Sequence, residues 1–389
     1  MKDITTWLLP DRLFDGQFLQ GGIALKVTQG IVQALQPVAD LPPTAPLHRI
    51  AGVLTPGYLD LQVNGGGGVQ FNNDPSPHTL HVMKTALHRL GTTGIMPTVI
   101  TDAPHVLEAA VTAAIATAGT PGLLGLHIEG PHIAPARRGT HAAQFIRPMD
   151  ASTFTHVERL RAANIAVMIT LAPEAVCPSQ VRALVALGAI VSIGHSDATA
   201  AQVEALLAEG AQCFTHLFNA MSPMLNRAPG VTGAAINSQA WCGFICDGHH
   251  VADDMLALAI RARPLPDRMF LVSDCMATVG GGDSFALYGQ DIRLIDGRLV
   301  NAEGSLAGAH ITMAQSVARL ITRLQIDPAQ ALAMATSVPA ALIGQPALGQ
   351  LIGRALGDLL LLGPDWMPQT MPDAMTEAMT DAAKGAMVA

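Results

Sequence analysis

Apolar residues in this chain gather in short unbroken runs, and the runs recur with helical patterns between them. Such runs read as strands buried on both faces, the mark of a parallel sheet. Eight candidates follow one another, at 53–63, 94–100, 123–129, 165–171, 189–195, 212–218, 241–247 and 269–274. Between most of them the apolar spacing is helical, as at 178–187, 200–207 and 253–261. Alternating strand and helix predicts an α/β fold with a parallel sheet. Eight such units over about 220 residues predict a (β/α)8 barrel of the TIM type. An open doubly wound sheet is the runner-up, but no GxGxxG follows the first strand.

The flanks have another rhythm. Runs at 23–27 and 31–35, separated by Gly and Pro, predict a small antiparallel β unit within residues 4–55. Asp296-Gly297, set between two alternating runs, predicts a hairpin excursion over 288–300. Helical patterns at 310–325 and 328–343 follow, and Leu356–Leu362 reads as a strand returning to the N-terminal unit. The expected layout is a small β-sandwich domain begun by 1–54, the barrel over 55–350, and a C-terminal return with an irregular tail over 351–389. Met367, Met371, Met375 and Met379 would stripe a helix in that tail, but Pro368 and Pro372 interrupt it.

Four of the strand candidates end on a residue that binds metal or moves protons: Glu129, His195, His216 and Asp274. In a barrel those ends meet at one face, where catalysis sits. Two His and one Glu form a ligand set for a catalytic divalent metal with a fourth position open for water. Taken singly, each His reads as a hydrogen-bonded core residue; three candidate ligands at three strand ends shift the balance towards a metal. A carboxylate at Asp274 is placed to exchange a proton with an attacking water. Its bland alternative is a cap on the next segment.

Composition narrows the function. The chain has 389 residues, 50% hydrophobic and 13% charged, which suits one large core with a smaller second domain. A net charge of -8 leaves no nucleic-acid footprint. Five Cys without metal-type spacing predict reduced thiols in the cytoplasm. Charges at Lys2, Asp3, Asp11, Arg12 and Asp15 speak against a signal peptide. The uncharged stretch Ala109–Leu126 carries Gly119, Pro121 and Gly122, so a helix, a turn and a strand are expected, and no membrane partner.

Several segments together resemble the N-acetylglucosamine-6-phosphate deacetylases of the amidohydrolase superfamily. They are Pro56-Gly57-Tyr58-Leu59-Asp60-Leu61-Gln62-Val63-Asn64-Gly65, His127-Ile128-Glu129-Gly130-Pro131, Gly139-Thr140-His141 and Gly194-His195-Ser196. Thr215-His216-Leu217-Phe218-Asn219-Ala220-Met221, Asp247-Gly248-His249-His250-Val251, Ser273-Asp274 and Gly304-Ser305-Leu306-Ala307-Gly308 continue the series. The resemblance runs in order over roughly residues 50–315 and rests on the whole set.

The resemblance implies a metal-dependent hydrolase of linear amides. Glu129, His195 and His216 match the metal ligands, Asp274 the catalytic acid/base, and His141 the group that polarises the substrate carbonyl. Asn219, Ala220, Arg227 and His250 match contacts to the sugar phosphate. Thr140, Asp247, Gly248, His249, Leu306, Ala307 and Gly308 match less central parts of the pocket. The implied reaction converts N-acetylglucosamine 6-phosphate to acetate and glucosamine 6-phosphate in amino-sugar catabolism. A homodimer, with a pocket that borrows residues from its partner, is also implied.

The residues add their own reasons. Arg227 stands in Asn226-Arg227-Ala228-Pro229-Gly230, just after the sixth strand, and a guanidinium binds phosphate through a planar fork of donors. Gln62-Val63-Asn64 stands where many amidohydrolases carry His-x-His, and amides are poor ligands for transition metals. One divalent metal per chain is therefore expected, zinc first. Gly65–Gly68 lacks the Lys-Ser/Thr of a P-loop and reads as a flexible turn near the pocket. Cys275-Met276 replaces the Ala-Thr frequent after the catalytic Asp. Alternatives are a deacetylase of the galactosamine 6-phosphate epimer, another amidohydrolase such as a cyclic-amide hydrolase or deaminase, and a catalytically silent sugar-phosphate binding protein. The last needs a lost ligand or a lost Asp274, and neither is lost.

Overall fold

In the computed structural model, which describes residues 5–301, 304 and 306–372, eight strands follow one another in sequence order around a parallel barrel. They are Tyr58–Val63, Thr92–Ile100, Gly125–Glu129, Ala166–Leu171, Ile190–Ile193, Cys213–Phe214, Trp241–Phe244 and Met269–Leu271. The circle closes where the Asp274 N–H donates to the Gln62 carbonyl at 3.1 Å and Val63 bridges Cys275 in parallel. Side chains facing the outer helices, such as Leu126, Ile169, Val191 and Phe214, are fully buried, which explains the unbroken apolar runs.

The outer helices start on local signals. Ser76 accepts from the Thr79 N–H ahead of Pro77–His88, and Thr199 with Gln202 forms a capping box ahead of Ala200–Ala208. The expected 328–343 helix is broken into Pro328–Ala335 and Ser337–Leu342. Pro339 has no N–H to give the Ala335 carbonyl, so the helix restarts at Thr336.

Four strand expectations are too long: 241–247 yields only Trp241–Phe244, and three others stop short of a site residue. Residues 189–195, 212–218 and 269–274 yield strands that end before His195, His216 and Asp274. These three residues have φ of 49°, 34° and 51°, a left-handed backbone that a pleated strand does not allow. The first candidate, 53–63, is two strands parted at Gly57: Leu47–Pro56 lies in the small sheet and Tyr58–Val63 in the barrel.

The small sheet joins both ends of the described chain. Its order is Leu359–Leu362, Leu47–Pro56, Thr5–Phe14, Ile23–Thr28, Ile31–Pro37, with Leu19–Gln20 on the side of Thr5–Phe14. Thr5–Phe14 and Leu47–Pro56 run parallel, so the unit is mixed and not purely antiparallel. Its hydrogen bonds run through one sheet of six strands, the small β domain beside the barrel. Leu8, Leu25 and Leu359 pack on one face and Trp7, Leu9 and Ala24 on the other. Within the tail, Met375 and Met379 lie outside the described residues, as do residues 1–4 and Ser305.

The expected hairpin is a three-stranded excursion, Ser284–Leu287, Gln290–Ile295 and Arg298–Val300. Both turns, Tyr288-Gly289 and Asp296-Gly297, have positive φ at the two central residues, as tight hairpins require. Leu287, Ile292 and Leu299 pack on Ile100 and Met276, which fixes the excursion beside the mouth of the barrel.

Candidate active site

At the C-terminal ends of the strands lies a cavity of about 190 Å³. Glu129 Oε1 stands 3.0 Å from His195 Nε2 and 3.1 Å from His216 Nε2, and the two nitrogens are 3.1 Å apart. Ligand atoms about 2.1 Å from one tetrahedral metal stand about 3.3 Å from each other, so this triad is near the size of a metal shell. His195 Nδ1 meets the Arg137 carbonyl at 2.9 Å, which leaves Nε2 turned to the cluster. His216 Nδ1 is buried without a hydrogen-bond partner. His141 also offers a ring nitrogen within 4.8 Å of the ligand atoms of Glu129 and His195. Its Nδ1 is engaged with Thr101 Oγ1 at 2.8 Å, and the His216 set, at 3.0–3.1 Å throughout, is the tighter one.

Electrostatics bind the cluster. Burial pushes the Glu129 carboxyl up, but hydrogen bonds from His195 and His216 outweigh it and hold the group well below its ordinary range. Burial pulls His216 down, yet its hydrogen bond to Glu129 and that residue's charge raise it overall. Three buried side chains thus crowd their ligand atoms where a cation fits, and binding a metal would release any protons they carry.

Asp274 faces the triad from the eighth strand's end. Burial raises its pKa and the Glu129 charge adds to the rise. Asn64 Nδ2 donates to Asp274 Oδ1 at 2.7 Å, and Gln62 Nε2 donates to the same oxygen at 3.2 Å and to both Glu129 oxygens at 3.1 Å. The two amides expected only as missing ligands are therefore the clamps that aim both carboxylates. The turn expected at Gly65–Gly68 is the tip of a hairpin: Gly65-Gly66 pairs with Val69-Gln70, Gly67-Gly68 makes the turn, and the Gly65-Gly66 arm is buried, with the Ala277 nitrogen 2.7 Å from where a Gly65 Cβ would stand.

Thr140, His141, Asn219, Ala220, His250, Leu306 and Gly308 line the same cavity as the triad and Asp274. Ile100, Gly139, Asn64 and Met276 complete its wall. Ala307 is turned away and fully buried against Leu299. Arg227 is exposed on the loop after the sixth strand and does not line the cavity. Nor do Asp247, Gly248 and His249. Asp247 backs His250, Gly248 covers Arg319, and His249 is exposed beside Gly297.

Two participants had no sequence signal of their own. Thr101 holds His141, and Asp60 lies buried beneath Asp274, taking the Ser273 hydroxyl and the N–H groups of Ser273 and Gln62. Asp60 stands two residues before Gln62, so strand alternation puts both on the barrel's inner face.

The chain is 38% identical over 355 residues to an N-acetylgalactosamine-6-phosphate deacetylase of Shewanella sp. (strain ANA-3), covering 88% of each. It is 31% identical to an N-acetylglucosamine-6-phosphate deacetylase of Haemophilus influenzae, covering 88% of this chain and 91% of that one. The crystal structure of N-acetylglucosamine-6-phosphate deacetylase from Pasteurella multocida superposes with a TM-score of 0.86 at 33% identity, covering 94% of this chain and 97% of the other. No protein-family model matches. The chain belongs to the N-acetylglucosamine-6-phosphate deacetylase family. In this deacetylase-family chain the triad and Asp274 come from four different strand ends and His141 from the loop after the third strand, and the barrel brings them together.

Proposed function

We propose that this chain removes the acetyl group from N-acetylglucosamine 6-phosphate, giving glucosamine 6-phosphate and acetate in amino-sugar catabolism. The observation that carries this reading is the meeting of Glu129, His195, His216, Asp274 and His141 in one cavity, in a chain of this family. Glu129, His195 and His216 would hold one divalent metal, zinc first among the candidates for such a nitrogen and oxygen set. Bound there, it supplies Lewis-acid polarisation and lowers the pKa of water.

The protein's own groups do the rest. Asp274, aimed by Asn64 and Gln62, takes a proton from the attacking water and returns it to the departing amine. Burial holds His141 well below its usual pKa, so it meets the substrate as neutral imidazole. Thr101 Oγ1 holds Nδ1, which leaves Nε2 for the substrate, and in the tautomer with the proton on Nε2 it donates to the carbonyl oxygen as charge develops. Asn219, Ala220 and His250 line the cavity side that receives the sugar phosphate in this reading. Thr140, Leu306 and Gly308 shape the remainder.

The exposed loop that carries Arg227 also exposes Met224 and Leu225, at 44% and 58%. This supports a homodimer in which the loop meets the second chain and Arg227 serves a phosphate site there. Free thiols at all five Cys support a cytoplasmic setting. No helix among the described residues is long and apolar enough to cross a membrane.

The galactosamine epimer stays in play because the Shewanella relative acts on it and shares 38% identity. Acetate release should therefore be measured on both 6-phosphate epimers, with and without a chelator. Chelator-sensitive release that is faster on the glucosamine epimer supports the reading. Preference for the other epimer moves the substrate, and no release from either overturns the enzyme.

A further inference from the structure

Asp247 was expected to touch substrate, and its geometry gives it another task. Its Oδ1 takes the backbone N–H groups of His249 at 2.8 Å and His250 at 2.9 Å. Its Oδ2 stands 2.6 Å from His250 Nδ1. Both of its oxygens are engaged within the loop, and its side chain is 5% exposed against 9% for His250. His250 lines the cavity and Asp247 does not. We propose that Asp247 is a positioning residue that locks His250 with Nδ1–H turned back and Nε2 turned to the ligand, so that the pair receives the substrate's phosphate dianion. This deepens the deacetylase reading and rests on it.

The chemistry follows from the two ring nitrogens. A carboxylate at Nδ1 fixes the tautomer and strengthens Nε2 as a base, as it does for histidines that hold metals. A proton on Nε2 then makes a charge-assisted donor, with the new charge balanced at 2.6 Å by Asp247. Hydrogen bonds to its acceptor oxygens keep the Asp247 carboxyl low, at about 2, against the opposing effect of burial. Other charges around His250 are few. Asp274 faces it across the cavity, which both residues line. Arg319 packs under Gly248, but it is already paired with Asp253 at 2.8 Å, so it does not compete for Asp247. Gly248, at φ 77°, lets Arg319 in: a Cβ there would stand 2.1 Å from the Arg319 Nη2. The loop is thus braced from behind by one ion pair while a second one faces the ligand.

The test is a double-mutant cycle of Asp247→Asn and His250→Gln, read as KM and kcat for N-acetylglucosamine 6-phosphate and for unphosphorylated N-acetylglucosamine. Asp247→Asn should raise KM for the phosphorylated sugar about tenfold, the worth of a weakened charge-assisted contact, with kcat within about twofold. Use of the unphosphorylated sugar should stay unchanged. In the His250→Gln background the same change should add nothing. Nitrogen NMR of the wild-type holoenzyme should show His250 with its proton on Nδ1, and Asp247→Asn should shift that signal. An Asp247→Asn effect that persists without His250, or that falls equally on both sugars, overturns the inference. Absence of acetate release by the wild type would instead overturn the deacetylase reading, and the NMR signal would still report on the pair.

Discussion

The barrel has a cavity at each end, and the two differ in what their polar groups are free to do. At the base, where the strands begin, an open pocket of about 450 Å³ lies among Lys84, His88, Asn164, Arg354 and Asp358. Their charges are largely spent on one another: Arg354 meets Asp358 at 3.2 Å, His88 lies 4.0 Å from Asp358, and Lys84 donates to the Pro121 carbonyl. At the mouth, about 190 Å³ holds two His and one carboxylate crowded to 3.1 Å or less, with a second carboxylate beside them. Three of these four side chains sit on left-handed backbone, a conformation costing roughly 1–2 kcal/mol per residue. Each end keeps buried polar atoms without a partner, Arg354 Nε at the base and Asn64 Oδ1 and His216 Nδ1 at the mouth, but only the mouth adds left-handed backbone beneath its crowded titratable groups. Strain and convergent titratable groups mark the site better than volume does.

The sharpest way to break this contrast is to empty the mouth. His195→Ala and His216→Ala should each lose the bound metal and lower kcat/KM at least about a thousandfold, since Lewis-acid stabilisation contributes several kcal/mol. Elemental analysis and acetate release on the same preparation check it. Lys84→Ala at the base should leave activity within about twofold. Comparable losses at both ends would end the distinction between them.

Asp274→Asn comes next. Asn keeps the donors from Asn64 and Gln62 nearby but cannot accept and return a proton, so kcat should fall about 10²–10⁴-fold with metal content retained. Loss of metal together with turnover would recast Asp274 as a ligand. Near-normal turnover would remove it from the mechanism.

How much of this was legible beforehand depends on how far each signal reaches along the chain. The barrel was, because unbroken apolar runs and the helices between them are local patterns that repeat. The meeting of Glu129, His195, His216 and Asp274 was, because each ends such a run. The left-handed turns at His195, His216 and Asp274 were not: nothing in an apolar run announces that its final residue leaves the pleat. The Asn64 and Gln62 clamps join the first strand to the third and eighth, so their partners are distant in sequence. Arg227 was legible as a phosphate-binding type of residue, yet its exposure depends on where the loop points.

That loop gives a third, smaller test. Arg227→Ala should lower kcat/KM for the 6-phosphate sugar about ten- to a hundredfold, the worth of a charge-assisted bidentate contact of roughly 1.5–3 kcal/mol. The unphosphorylated sugar should be much less affected. Equal losses on both would mean that the loop does not read phosphate.

The smallest effect lies beneath the mouth, at Asp60. Burial, as the largest influence, raises its pKa to about 7, while hydrogen bonds from Ser273 and Gln62 pull the other way. In the unfolded chain the group returns to its ordinary value near 3.8. The folded state therefore holds its proton more tightly. The stability this gives is full below the unfolded value and is lost as pH rises through the folded one. From pH 5 to pH 8 the wild type should lose about 1–2 kcal/mol from this group, a discounted figure for a buried acid with three donors around it. Asp60→Asn imitates the protonated acid: its oxygen accepts the two N–H groups, and its NH2 donates to the Ser273 hydroxyl. The variant should match the wild type in chemical denaturation at pH 5 and exceed it at pH 8. A variant that is less stable at pH 8, by the same margin as at pH 5, would show that Asp60 is ionised in the folded protein, and that the floor of the mouth carries a charge.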